Sequence, residues 1–316
     1  MIYCRYRTHG FPPVAGVRPN GALSFSVSEL AWKMFTTGRV PGDVARHGPA
    51  SIYEYLHRSA VIPAYLLMRH GGLEKSGLYE VLDRSEKVGV SYALGSAMAG
   101  LWASKVLSVH HLLHLDRYGP SHGVVTVGRR RPDYIGAGPG GWLVVEAKGR
   151  SNGVETGLRA RLTAQKRAVE CVSGSPPWLA VGSVAHFQSG ALEVDAYDPD
   201  ELDPGAEPIG LEVDVARFYR AYYLPFTVAL AFGRTIEDGP EGIEAVELGF
   251  GQRIGLRSEI LSLLAGEDVG AGEWQTTLGQ LSNDIGRTVE GVMPDGSYVS
   301  VDWDAALGIG GYGGTE

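Results

Sequence analysis

Residues 129–149 run Arg129-Arg130-Arg131-Pro132-Asp133, then a glycine-rich turn, then Trp142-Leu143-Val144-Val145-Glu146-Ala147-Lys148-Gly149. The pattern reads as a strand ending in Asp133, a hairpin turn, and a second strand ending in Glu-x-Lys. Side chains two apart on a strand share a face, so Glu146 and Lys148 point the same way, and the hairpin brings Asp133 alongside. Hard divalent cations take oxygen ligands, which Asp133, Glu146 and the main-chain carbonyl of Ala147 could supply, with water and phosphate completing the shell. A cation there lowers the pKa of a water, while Lys148 positions that water and offsets charge developing on the phosphate. The chemistry implied is in-line hydrolysis of a phosphodiester. The alternative is a surface hairpin whose Glu146 and Lys148 pair across solvent.

The surrounding elements must position these groups. Ser85 is read as the N-cap of a long helix rich in small residues, reaching about Val109, with no capping-box acid at Val88. Three short runs follow, Val109 to Leu115, Gly123 to Arg130 and Gly141 to Lys148, and each reads as a strand. Val154 to Cys171 has helical spacing, and Trp178 to Phe187 is a buried strand with a shorter one near Leu192 to Tyr197. Upstream, Ser28 to Met34 reads as a short helix. Ser51 to Arg69 reads as a second one, with Ser51 as N-cap and Pro63 kinking or dividing it. Downstream, Asp198 to Pro208 is a candidate boundary or long surface loop. Beyond it, Val213 to Ala231 reads as a helix broken at Pro225, Arg257 to Leu264 as another, and Tyr298 to Trp303 as a strand. Three regions result: 1–84, flanking and mostly helical; 85–200, the core; and 201–316, an α+β extension.

The chain has 316 residues and a formal charge of −8, which argues against a protein that coats nucleic acid indiscriminately. Its charge is unevenly spread. The window 129–167 carries nine basic residues (Arg129, Arg130, Arg131, Lys148, Arg150, Arg159, Arg161, Lys166 and Arg167) against three acids, a local charge of +6. One basic face on an acidic body suits a phosphate-bearing ligand, and these arginines and lysines are its candidate contacts. A solvated charged helix is the competing account of Arg159 to Arg167. Cys4 and Cys171, the two cysteines, read as reduced thiols. No secretory signal pattern opens the chain, so a cytoplasmic protein is expected. The uncharged stretch Val88 to Ser104 is too short and too rich in Gly, Ala and Ser for a membrane span, and reads as a buried helix. His110 and His111 face opposite sides of a strand, with His114 far along it, which favours sheet histidines over metal ligands. Gly136 to Gly141 lacks the Lys-Ser/Thr of a phosphate-binding loop and precedes a strand, so it reads as a turn.

The Pro132-Asp133, gap, Glu146-x-Lys148 pattern, within helix, three strands, helix, strand, resembles the PD-(D/E)xK nuclease superfamily over roughly Ser85 to Phe187. The resemblance implies an α/β fold, with a restriction-endonuclease-like αβββαβ core between an N-terminal helical and a C-terminal α+β extension. It also implies a metal-dependent endonuclease acting on nucleic acid, most simply DNA, with Mg²⁺ or Mn²⁺ as cofactor. In bacteria such folds often serve restriction, repair or anti-phage defence. By the same resemblance Asp133 and Glu146 hold metal and Lys148 is the catalytic lysine. Gln165 matches a Gln or Lys that many members carry on the helix after the third strand. Members usually have an acid on the first helix. Gly95 to Ala99 resembles the Mrr-like branch, yet Ala99 stands where that acid would be, and Glu86 is the nearest substitute ligand. The flanking regions are expected to serve target recognition, a homodimer contact or partner docking. The rival expectation is a catalytically inactive nuclease-fold module that binds nucleic acid or scaffolds a complex.

Overall fold

The computed structural model describes residues 1–37, 47–115, 132–154, 157, 169–198, 209–237, 239–283 and 289–308. Strand β1 (Ile2–His9) alternates buried Ile2, Cys4 and Tyr6 with exposed Tyr3 and Arg5, as expected of a strand with one face in a core. It pairs antiparallel with β2 (Asn20–Phe25). The first region, expected to be mostly helical, therefore opens with two strands. Helix α1 (Val27–Thr36) begins at Ser26, whose side chain accepts from the Glu29 N–H while Glu29 reaches back to the Ser26 N–H. Helix α2 (Ala50–Ser59) has no side-chain cap, and Ser51, the expected N-cap, is buried within its first turn. Then come α3 (Val61–Tyr65), the hairpin β3 (Leu66–Arg69) and β4 (Gly72–Lys75), and the short helix α4 (Gly77–Glu80).

Helix α5 (Arg84–Leu107) is the long helix expected from its small residues, but its cap differs. Asp83, not Ser85, is the N-cap, and its carboxylate accepts from the Glu86 N–H at 2.9 Å while Glu86 accepts from the Asp83 N–H at 2.9 Å. The box is set by the spacing Asp83-x-x-Glu86, two residues earlier than the serine suggests. After α5 come β5 (His111–His114), β6 (Tyr134–Gly138), β7 (Gly141–Gly149), β8 (Val169–Val172), β9 (Leu179–His186), β10 (Glu193–Tyr197) and β11 (Ile209–Leu211). The strand expected at Gly123 to Arg130 lies outside the described residues. So do most of the helix expected from Val154 and residues 199–208 of the candidate boundary. The last residues assigned to that helix form β8 instead, paired in parallel with β11.

The fold is mixed α/β. Among the described residues seven strands form one sheet in the order β2-β1-β10-β9-β7-β6-β5. β5, β6 and β7 are antiparallel neighbours, β9 returns parallel to β7, and β1 lies parallel to β10. Helix α5 packs on β7 and β9 so closely that two glycines are required. A Cβ on Gly95 would sit 2.5 Å from the Gly149 nitrogen, and one on Gly149 would sit 1.6 Å from the Ser91 carbonyl oxygen.

The C-terminal part adds α6 (Val215–Phe232), β12 (Arg234–Thr235), β13 (Ile243–Gly249), β14 (Gln252–Arg257), α7 (Ser258–Ala265), α8 (Ala271–Asn283) and β15 (Ser297–Val301). Strands β12 to β15 form a second, antiparallel sheet. Helix α6 runs through Pro225 without a break, because buried Tyr222, Tyr223 and Phe226 hold it on both sides of the missing N–H. One hydrophobic core extends from Ile2 to Leu307. Among the described residues no helix is long and apolar enough to cross a membrane.

Candidate metal and phosphate site

The β6–β7 hairpin turns tightly at Pro139-Gly140, with Gly138 opposite Gly141 and Tyr134 opposite Val145. Asp133 therefore stands at the entry of β6, not at the end of a strand. A strand ending at Asp133 would have put its carboxylate beside the turn. Entering there, it lies next to the far end of β7, and its Oδ2 accepts from the Ala147 N–H at 2.9 Å. The run Leu143-Val144-Val145 is buried between β6 and β9, as its branched residues predict for a central strand. It carries Glu146 and Lys148 on one face, the first buried and the second part-exposed.

Glu146 is 0% exposed, and one of its oxygens, Oε1, accepts from the Lys148 ammonium, whose side chain is 30% exposed. The other, Oε2, is buried with no hydrogen-bond partner among the described residues. Burial pushes the Glu146 carboxyl up to about 7; the neighbouring Asp133 charge adds to the rise and Lys148 opposes it. Two carboxylates that repel each other, one with an orphaned buried oxygen, suit a small hard cation. Among the described residues no cluster of three or more His, Cys, Asp or Glu side chains forms, and Asp133, Glu146 and the Ala147 carbonyl are the oxygen donors those residues bring here.

Glu86, the substitute ligand on the first helix, is not brought to this pair. Its carboxylate is committed to the α5 cap, it is exposed, and it is absent from the charges that bear on Glu146. An acid three residues into a helix is worth more to the unpaired N–H groups there than to a distant ligand. Arg129, Arg130, Arg131, Arg159, Arg161, Gln165, Lys166 and Arg167 lie outside the described residues. Arg150 is described, its N–H bonded to the Ala185 carbonyl at 2.8 Å.

Arg150 lines an open cleft of about 580 Å³ at the junction of β7 and the first turns of α5. Lys148 shares it, and so do Arg84 and Lys87, two cations that sequence reasoning passed over. Their signal was their place at the start of the helix packed against the Glu-x-Lys strand, but only the packing brings that end to Lys148. No acidic side chain of the described residues lines the cleft. Lys148 is paired with Glu146, but Arg84, Lys87 and Arg150 meet no acid among the described residues that line the cleft, and on a chain of net charge −8 they make a local anion site.

The histidines are engaged elsewhere. The His110 Nδ1 meets the Ser104 hydroxyl at 2.8 Å, and the His111 Nε2 meets the Tyr223 hydroxyl at 2.9 Å. Burial pushes His110 down to about 4 and His111 down to about 3, so both are held neutral. Cys4 and Cys171 are free thiols. Comparison with known proteins finds no match to any family model, curated protein or solved structure.

Proposed function

We propose that this chain is a divalent-metal-dependent nuclease that hydrolyses phosphodiester bonds, most simply a DNA endonuclease, with the restriction-endonuclease-like core its motif resembles. The observation that carries this reading is the buried Glu146 with its unpartnered oxygen beside Asp133, sharing a face with Lys148 at the mouth of a basic cleft. The order α5, β5-β6-β7 and a β9 that returns parallel to β7 supports the same core. Asp133, Glu146 and the Ala147 carbonyl would hold Mg²⁺ or Mn²⁺, which when bound supplies positive charge to the phosphate and acidifies a water. Lys148 then donates to a phosphate oxygen and offsets the charge that grows during attack. Arg84, Lys87 and Arg150 hold the flanking phosphates and set the register of the strand.

The test is nicking of supercoiled plasmid by the purified chain with Mg²⁺ or Mn²⁺, against EDTA and against Lys148→Ala. Metal-dependent nicking that the variant loses supports the enzyme. A second reading, a nuclease-fold module that binds nucleic acid without cutting it, is favoured by one observation: Glu86 caps its helix and supplies no third carboxylate. Equal binding and no nicking by both proteins would select that module.

A further inference from the structure

The basic cleft also has an aromatic wall. Tyr92 and Val88, one turn apart on α5, both line it and are 43% and 63% exposed, although most of that helix is buried. Tyr92 and Val88 thus leave an open apolar surface beside Arg84, Lys87 and Arg150, and apolar surface rimmed by polar groups marks an interaction site. Tyr92 also lies near the Asp133 end of the sheet: Tyr134, next to Asp133, bonds Ser96 at 2.9 Å, and Ser96 is one turn from Tyr92 on the same helix.

Phosphate-binding cations with an open aromatic ring between them are what a nucleic-acid strand with exposed bases requires. The cations follow the backbone, and the ring stacks on a base of any identity. A duplex offers no such base. Its bases are stacked on one another and present only their edges, in grooves roughly 12 and 6 Å wide. The cleft is also small. Its volume of about 580 Å³ falls in the range of small-ligand pockets, roughly 300–1,000 Å³, which suits one or two nucleotides and not a double helix.

We infer that the cleft between α5 and the end of β7 takes an unpaired stretch of polynucleotide, with Tyr92 stacking on a base while Arg84, Lys87 and Arg150 hold its phosphates. Lys148 belongs to both the cleft and the carboxylate pair, so the unpaired segment would enter directly beside the scissile bond; in this respect the inference rests on the nuclease reading. A frayed end, a flap or a loop then becomes the substrate class, and intact duplex does not.

The experiment is fluorescence anisotropy of the full chain in EDTA with a short fluorescein-labelled oligodeoxythymidylate, an oligouridylate, and a blunt DNA duplex of equal length. Either single strand should bind tighter than the duplex, and the better of the two names the sugar. Tyr92→Ala should weaken single-strand binding about tenfold, the loss expected of one stacked base. Tyr92→Phe, which keeps the ring, should bind like the parent. Tyr53→Ala, which removes an exposed tyrosine of α2 that does not line the cleft, should also change nothing. A duplex bound as tightly as both single strands, or a Tyr92→Ala protein that binds as well as the parent, overturns the inference. Because binding is read without metal, a protein that cuts neither plasmid nor the single strands when Mg²⁺ or Mn²⁺ is added, yet still prefers single strands, defeats only the nuclease reading. A protein that cuts plasmid but shows no such preference defeats only this one.

Discussion

The Asp133 carboxylate accepts a 2.9 Å hydrogen bond from the Ala147 N–H, fourteen residues along the chain, and so latches the open end of the β6–β7 hairpin. The same carboxylate pushes the Glu146 carboxyl upward by like charge. One acid thus has a structural and an electrostatic role, and substitution can separate them.

Asp133→Asn keeps an oxygen that can accept from Ala147 but removes the charge. Stability should stay within about 1 kcal/mol of the parent, whereas Asp133→Ala, which loses the bond, should cost about 1–2 kcal/mol. In the Asn variant the Glu146 carboxyl should titrate at lower pH, as read by carbon NMR of the glutamate carboxyls. An unmoved Glu146 titration would show that burial alone sets it.

Glu146 also makes stability depend on pH. Its folded pKa of about 7 lies above the ordinary glutamate value of 4.5, so the folded chain keeps a proton the unfolded chain has released. Its contribution therefore falls as pH rises from about 4.5 to about 7, and is level above that. Glu146→Gln should remove this slope and stabilise the protein at pH 8 by about 1–3 kcal/mol, measured by urea unfolding, while abolishing cleavage. A variant less stable than the parent at pH 8 contradicts this account.

Cation binding requires the ionised carboxylate, so Mn²⁺ affinity and nicking should rise as pH passes upward through about 7. Raising the metal concentration should move the midpoint to lower pH, since the cation competes with the proton. A flat profile between pH 6 and 8 would exclude Glu146 as a ligand.

Gly149→Ala puts a methyl group 1.6 Å from the Ser91 carbonyl oxygen, where backbone rather than a flexible side chain must move. The expected cost is about 1–3 kcal/mol or more, with α5 displaced from β7 and the cleft misshapen. A thermal melt shows the first effect and single-strand anisotropy the second.

Asp295 is fully buried and accepts from the Trp32 indole at 3.0 Å, from the Tyr222 hydroxyl at 2.7 Å, and from the Ser297 N–H and hydroxyl at 3.0 and 2.6 Å. It ties α1, α6 and the start of β15 together. Asp295→Ala strands these donors in the core and should cost about 3–5 kcal/mol, read as a lower chemical-denaturation midpoint.

Local chemistry was legible in the sequence. Glu146 and Lys148 had to share a face because strands alternate, the branched residues before them marked β7 as a buried strand, and the small residues of 88–104 marked a packed helix. The alternation Ile2-Tyr3-Cys4-Arg5-Tyr6 was equally plain and announced β1, and Asp83-x-x-Glu86 announced the cap; both are short-range patterns that the sequence reading passed over. Tertiary structure decided what depends on distant partners. It set Asp133 at the entry of β6 rather than at the end of a preceding strand, since a hairpin's register follows from which residues pair across it. It carried α6 through Pro225, because side-chain packing outweighs one lost hydrogen bond. Burial of one Glu146 oxygen without a partner, and the delivery of Arg84, Lys87 and Tyr92 to Lys148, arise only when α5 closes on β7. Desolvation and proximity are properties of the packed chain, whereas the identity and spacing of the groups that experience them are written along it.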